Sequence, residues 1–399
     1  MAATGVGAGD LISAGKAGAE FGLPLLWTAA FGAVLKFVLA EGVARWQLAT
    51  GTTLMEGWTR AFGWPVRIWF LVYLVVWTFV VAAALLSACG LAAHALVPSL
   101  SVNLWAALHG VLCLVFVLLE GYGPFERVMK WAIGAMFLAI VGSAALRMPD
   151  AGSLLRGLAV PSVPGGSLLL VMGAVGGVGG TVTLLSYAYW MREKGWSGRE
   201  WLRGARFDLA VGYVLTGIFG VAIILLAGQV LFPRGIRIAG STGILDMAGI
   251  LGESFGRTGE LVFLVGFWAA VATSALGVWQ GVPYLFAHII GLMKGAPGAD
   301  AEREVSTRSR LYRGYLLFMT FPPMLLFLAE RPVFLVVLYA ALGSIFMPFL
   351  AVTLLVLNNK KAHVGALANG PLSNLFLVLC VALFAYLAFL QVKAQLGGG

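Results

Sequence analysis

The chain has 399 residues, of which 60% are hydrophobic and only 11% charged. A water-soluble protein carries about twice that charged fraction, so the composition excludes a soluble globular domain and points to a polytopic membrane protein. The net charge of +9 sits in loops between apolar runs rather than along one stripe; this speaks against nucleic acid and fits the positive-inside rule.

Apolar runs long enough to span a bilayer fall at about 3–22, 24–49, 67–98, 103–120, 128–147, 167–191, 208–232, 260–290, 314–330, 332–357 and 372–392. They predict an all-α fold of about eleven transmembrane helices in one transporter domain over 1–399. The N-terminus lacks a basic start and a clean apolar core, so no cleavable signal peptide is read there. In the first run, Gly7-Ala8-Gly9-Asp10 interrupts the helix. Only six residues precede Gly7, which leaves the first half of that helix nearly absent and implies a late start to the chain. Lys16 and Glu20, one turn apart, are expected to pair. Lys36 and Glu41, five apart, need other partners. Groups of positive charge at Arg60/Arg67, Arg127/Lys130, Arg192–Arg206, Lys294–Arg313 and Lys360/Lys361 place the N-terminus inside and the C-terminus outside, as in a bacterial-type inner membrane.

Trp196 and Trp201 in the Met191–Phe207 connection are expected at headgroup level. The segment from about 232 to 258 reads as an ordinary surface loop, and Gly295-Ala296-Pro297-Gly298 as a solvated linker. Cys89, Cys113 and Cys380 are scattered in apolar runs without disulfide or metal spacing, so they read as packing residues. His94, His109, His288 and His363 show no ligand spacing and read as loop-end or interfacial groups. Trp279 and Gln280 read as packing residues.

The second interruption carries the strongest signal. Gly173-Ala174-Val175-Gly176-Gly177-Val178-Gly179-Gly180 places five glycines in eight positions near the middle of a membrane-length run. Glycine loses the most backbone freedom on ordering, so such a run weakens a helix. In hydrocarbon, loosened backbone survives only where it lines a cavity or is buried in protein. Two broken helices facing each other are how many secondary transporters hold substrate. Their positions predict an inverted five-helix repeat, about 1–147 and about 167–357, with an extra helix at about 372–392. The candidate substrate-binding residues are Gly7, Ala8, Gly9, Asp10, Gly177, Gly179, Gly180, Thr181 and Thr183. Asp10 is also the one candidate metal ligand, because an intramembrane carboxylate is costly unless it serves a function; its structural alternative is a pair with Lys16 or Lys36. Thr181 has the alternative of bonding back to its helix.

Several stretches resemble the NRAMP metal transporters. Ala17-Gly18-Ala19-Glu20-Phe21-Gly22 with Leu25-Leu26-Trp27 is similar to the segment just after that family's first break, and Ala44-Arg45, Thr50-Gly51, Leu54 and Glu56 to the end of its second helix. Gly121-Tyr122-Gly123 with Phe125-Glu126 resembles its entry to helix five. Gly179-Gly180-Thr181-Val182 resembles a helix-six motif, and Met347-Pro348-Phe349 a helix-ten motif. The resemblance implies a LeuT-like fold with inverted repeats and broken helices one and six, and a family habit of proton-coupled divalent metal uptake.

The chemistry-bearing positions depart from that pattern. Gly7-Ala8-Gly9-Asp10 stands where the family has aspartate-proline-glycine-asparagine, and Thr183-Leu184-Leu185 where it has methionine-proline-histidine. Ala340 stands at its helix-ten glutamine. Thioether and carboxylate ligands select transition metals, and only Asp10 offers a charge. The stretch Ile68 to Val97 contains no Asp or Glu, with Ala82 and Leu85 among its apolar residues, so proton coupling by the family route is not expected. These losses favour a secondary transporter of a small inorganic ion, with a small anion such as bicarbonate held on helix-end N–H groups. The alternative is a hydrated divalent metal, Mg2+ or Mn2+, held by Asp10, Thr183 and carbonyl oxygens. A third reading is a non-transporting sensor or scaffold. No nucleophile–base pair or resident cofactor site is read, so enzyme chemistry is not expected. The partners implied are the ion and the lipid bilayer.

Overall fold

The computed structural model describes residues 9–119, 123–238, 243–295, 306–329 and 331–396. They form helices α1 (Ala14–Phe21), α2 (Leu26–Thr50), α3 (Leu54–Phe62), α4 (Trp64–Leu96), α5 (Val102–Leu119), α6 (Gly123–Leu146), α7 (Ala151–Ala159), α8 (Leu168–Gly177), α9 (Ser186–Glu193) and α10 (Leu202–Val230). The chain continues in α11 (Gly243–Met293), α12 (Arg310–Thr320), α13 (Pro332–Asn358), the single turn α14 (Lys361–Val364) and α15 (Pro371–Leu396). A π-turn, Gly9–Ser13, leads into α1.

Among the described residues nine helices are long and apolar enough to cross a membrane. The pair formed by Leu168–Leu184 and Ser186–Glu193, bent by 46°, makes up to ten. Within the first predicted run the described part is a turn followed by the eight-residue α1. The predicted surface loop is corrected. Most of it is the first part of α11, set off from the spanning part by Gly256, whose φ of 61° breaks the helix.

Local chemistry explains the element ends. Gly51 closes α2 in the left-handed region, its N–H donating to Gln47 O at 2.9 Å. Thr53 and Glu56 then form a reciprocal capping box that starts α3. A core runs the length of the bundle, with α2 against α10, α4 and α6 against α11, and α8 against α13. Trp58 of α3 anchors one end, its ring 5.3 Å from Phe70 and 5.0 Å from Phe349. The outer faces stay apolar: Leu138, Leu328 and Phe389 are exposed, which water would not tolerate across a whole surface but lipid does. Cys89, Cys113 and Cys380 are buried free thiols, as expected of packing residues. Trp196 and Trp201 stack with ring centres 5.2 Å apart, and the Lys194 ammonium stands over the Trp196 ring.

Candidate functional site

The glycine run does what its composition predicts. Helix α8 ends at Gly177, and Gly179 and Gly180 then take φ of 63° and 78°, a region that costs other L-residues about 1–2 kcal/mol. A short 3-10 turn, Val182–Leu184, leads into α9. The break opens on a cavity of about 70 Å3, lined by Gly177, Gly179, Gly180, Thr181 and Thr183. By that measure the cavity holds several waters. The helix-six candidates are thus brought together on one wall. Helices α4, α10, α11 and α13 supply most of the rest, with Trp77, Tyr213, Ser274 and Tyr339 among the lining side chains, and α9 adds Trp190.

The helix-one candidates fare differently. Gly7 and Ala8 lie outside the described residues, as do the side chains of Gly9 and Asp10 and the Gly121-Tyr122 part of the helix-five signature. What is described is that the Gly9–Ser13 turn packs on α8 and α13. Ser13 Oγ lies 3.6 Å from where a Cβ on Gly173 would stand, so this turn and α8 do meet. Ser13 is fully buried, and its hydroxyl has no hydrogen-bond partner among the described residues. The same holds for Ser274 Oγ and Trp77 Nε1, both on residues that line the cavity. A buried polar atom left without a partner costs free energy, so these groups suit a hydrated occupant.

The residue that sequence reasoning missed is Lys36. It is fully buried in α2, and its ammonium is spent on the break. Nζ donates to Gly176 O at 3.0 Å, to Gly180 O, and to Thr181 Oγ1 at 3.4 Å. Thr181 Oγ1 in turn donates to Gly176 O at 3.1 Å, so the back-bonding alternative for Thr181 is realised. These carbonyls are at and just beyond the C-terminal end of α8, where the helix dipole favours positive charge. A buried ammonium needs such acceptors. The sequence signal was a lone lysine inside an apolar run; its partners are 140 and more residues away and could not be read from spacing.

The break presents oxygens, and two of the N–H groups that follow it are paired within the turn. Leu184 N donates to Thr181 O at 3.1 Å and Leu185 N to Val182 O at 3.0 Å. The expected anion site built on unpaired helix-end N–H groups is not formed by these two. No group of three His, Cys, Asp or Glu side chains that could hold a metal occurs among the described residues.

At the charged end of the bundle, a second network ties α9 to the α2–α3 junction. Arg192 donates to Gly51 O at 2.8 Å and pairs with Glu56 at 3.6 Å. His288 of α11 bonds the Tyr189 hydroxyl at 2.5 Å and lies 3.8 Å from Glu56. His288 is buried rather than interfacial. His109, also buried, accepts from Trp268 Nε1 at 2.8 Å. Trp279 donates to Thr320 Oγ1 at 2.9 Å, a packing role as expected, and Lys16 pairs with Glu20 at 2.6 Å.

The sequence profile described as natural resistance-associated macrophage protein-like matches residues 1–393. The chain belongs to the NRAMP family. It is 26% identical over 395 residues to a Bacillus subtilis divalent metal cation transporter, MntH, spanning 93% of this chain and 86% of that one. A Chromohalobacter salexigens MntH is 25% identical over 394 residues, spanning 94% and 86%. Among solved structures, a mutant of the Eremococcus coleocola manganese transporter superposes with TM-score 0.70 at 14% identity, covering all of this chain and 85% of that one. The structure of MhsT in complex with L-phenylalanine gives TM-score 0.58 at 13% identity, with coverage of 98% and 96%. This NRAMP-family chain is therefore a multi-pass membrane protein of the LeuT-like transporter fold.

Proposed function

We propose that this protein carries a divalent metal cation, magnesium or manganese, across the membrane. One observation carries the reading: the helix-six break already holds a positive charge on oxygen atoms, the carbonyls of Gly176 and Gly180 and the hydroxyl of Thr181. Carbonyl and hydroxyl oxygens with retained water suit a hard cation. Thr183 in place of a thioether, and a cavity wall without a His/Cys/Asp/Glu triplet among the described residues, weigh against a soft transition-metal site. Relatives named as divalent metal cation transporters point the same way. The proposed substrate contacts are Gly7, Ala8, Gly9, Asp10, Gly177, Gly179, Gly180, Thr181 and Thr183.

The small-anion reading, with bicarbonate as its example, draws no support from the relatives or from the geometry of the break. A scaffold would not need a break that opens on a cavity. The repeat boundaries (about 1–147 and 167–357, with the added helix at 372–392) belong to the same proposal, as does a topology with the N-terminus inside. Positive charge at Arg60, Arg67 and Arg192–Arg206 supports that orientation.

Uptake into proteoliposomes of manganese, magnesium and labelled bicarbonate, run side by side, tests the reading. Metal flux without bicarbonate flux is expected, and Asp10→Ala is expected to abolish it. Bicarbonate flux without metal flux would overturn the proposal; wild-type flux in Asp10→Ala would remove that carboxylate from the site.

A further inference from the structure

The ammonium of Lys36 occupies the position a cation would take at the end of a broken helix. Three acceptors among the described residues, Gly176 O, Gly180 O and Thr181 Oγ1, form an oxygen cradle of the kind that binds hard metal ions. Lys36 is fully buried and Thr181 nearly so, so water reaches this contact only from the cavity side. Gly180 and Thr181 also line the cavity. Whatever binds there therefore shares a wall with a fixed positive charge.

We infer that Lys36 is a specificity-determining residue: its tethered ammonium fills the helix-six oxygen cradle, holds the break in shape without a bound ion, and keeps divalent metals out of the cradle. The inference rests on the divalent-metal reading above. It narrows that reading: of the proposed contacts, the oxygens of Gly180 and Thr181 stay with the ammonium, and transported metal is handled beside them, on Thr183 and water, and held weakly. Weak holding suits a carrier that must release its ion. Like charges at short range in a poorly solvated site repel strongly, whereas methionine at position 36 would take the ammonium from all three oxygens and leave only Gly176 O with another donor, Thr181 Oγ1. Such a vacated cradle either takes up a cation or leaves buried acceptors unpaired.

The test compares the full-length wild type with Lys36→Met and Lys36→Gln in detergent. Binding of MnCl2 and MgCl2 is measured by calorimetry and by the thermal shift each salt produces, and uptake is followed in proteoliposomes. The variants are expected to bind at least one ion about tenfold more tightly than the wild type, and to gain more thermal stability from it by mass action. Slower metal release is expected with the tighter binding. Folded variants that bind both ions no more tightly than the wild type would overturn the inference, while wild-type metal uptake in the same experiment would leave the transport reading standing. Tighter binding in the variants with no metal flux in any protein would do the reverse. If both variants fail to fold, purification in millimolar MnCl2 or MgCl2 decides: rescue by metal supports the tethered-cation role, and failure of either ion to rescue refutes it. Loss of bicarbonate flux in Lys36→Met, without any gain in metal binding, would refute both, since the ammonium would then serve an anion.

Discussion

Helices α8 and α13 approach so closely at Gly176 that a single methyl group tests the architecture of the break. An alanine Cβ at position 176 would stand 2.5 Å from Ala340 O and 2.8 Å from the Ser344 Cβ. Ordinary contact begins near 3.4 Å, so the helices would have to part by 0.9 Å (3.4 − 2.5) along that direction. Overpacking of this kind costs about 1–3 kcal/mol. Alanine recovers about 0.5–1 kcal/mol of helix propensity over glycine, which leaves a net loss centred on about 1 kcal/mol within a range of about 0–2.5 kcal/mol. The shift also displaces Gly176 O, the acceptor 3.0 Å from Lys36 Nζ, so metal uptake should fall along with stability. Gly134→Ala in α6 is the control, because a Cβ there meets nothing within 4 Å. Equilibrium unfolding in mixed micelles, followed by tryptophan fluorescence, reads both variants. A Gly176→Ala protein as stable and as active as Gly134→Ala would mean that the close approach of α8 to α13 has been misplaced.

Two further substitutions probe the polar framework around the site. Glu41 accepts from Arg45 Nε at 2.7 Å and Arg206 Nε at 2.9 Å, and Arg45 is only 2% exposed. Glu41→Ala should cost about 3 kcal/mol, at the low end of its class because Arg45 keeps Leu367 O and Asn369 Oδ1 as acceptors. A loss below about 1 kcal/mol, in the range of a surface pair, would show that the pair is solvated. Thr53→Ala removes the hydroxyl that accepts from Glu56 N at 3.3 Å and should cost about 1 kcal/mol. Thr53→Ser should restore most of that loss in the same unfolding assay, and equal losses in the two variants would remove the cap as its cause.

The sequence by itself determined the environment, the fold class and the place of the helix-six break. Sixty per cent hydrophobic residues in membrane-length runs leave only a helical bundle in lipid, because backbone groups there must be satisfied within each segment. The glycine run located the helix-six break, since Gly179 and Gly180 carry the positive φ in their own composition. The Lys16–Glu20 pair was legible for a similar reason: helical spacing fixes which neighbours meet. The segment before the long spanning part of α11 was less legible: it is helical and set off at Gly256, where hydropathy suggested a loop. Only the tertiary structure decided the sign of the charge at the break. Lys36 lies 140 residues before Gly176 in the chain, and no local periodicity links them. Packing of the bundle is what turns the carbonyls of Gly176 and Gly180 onto a buried ammonium.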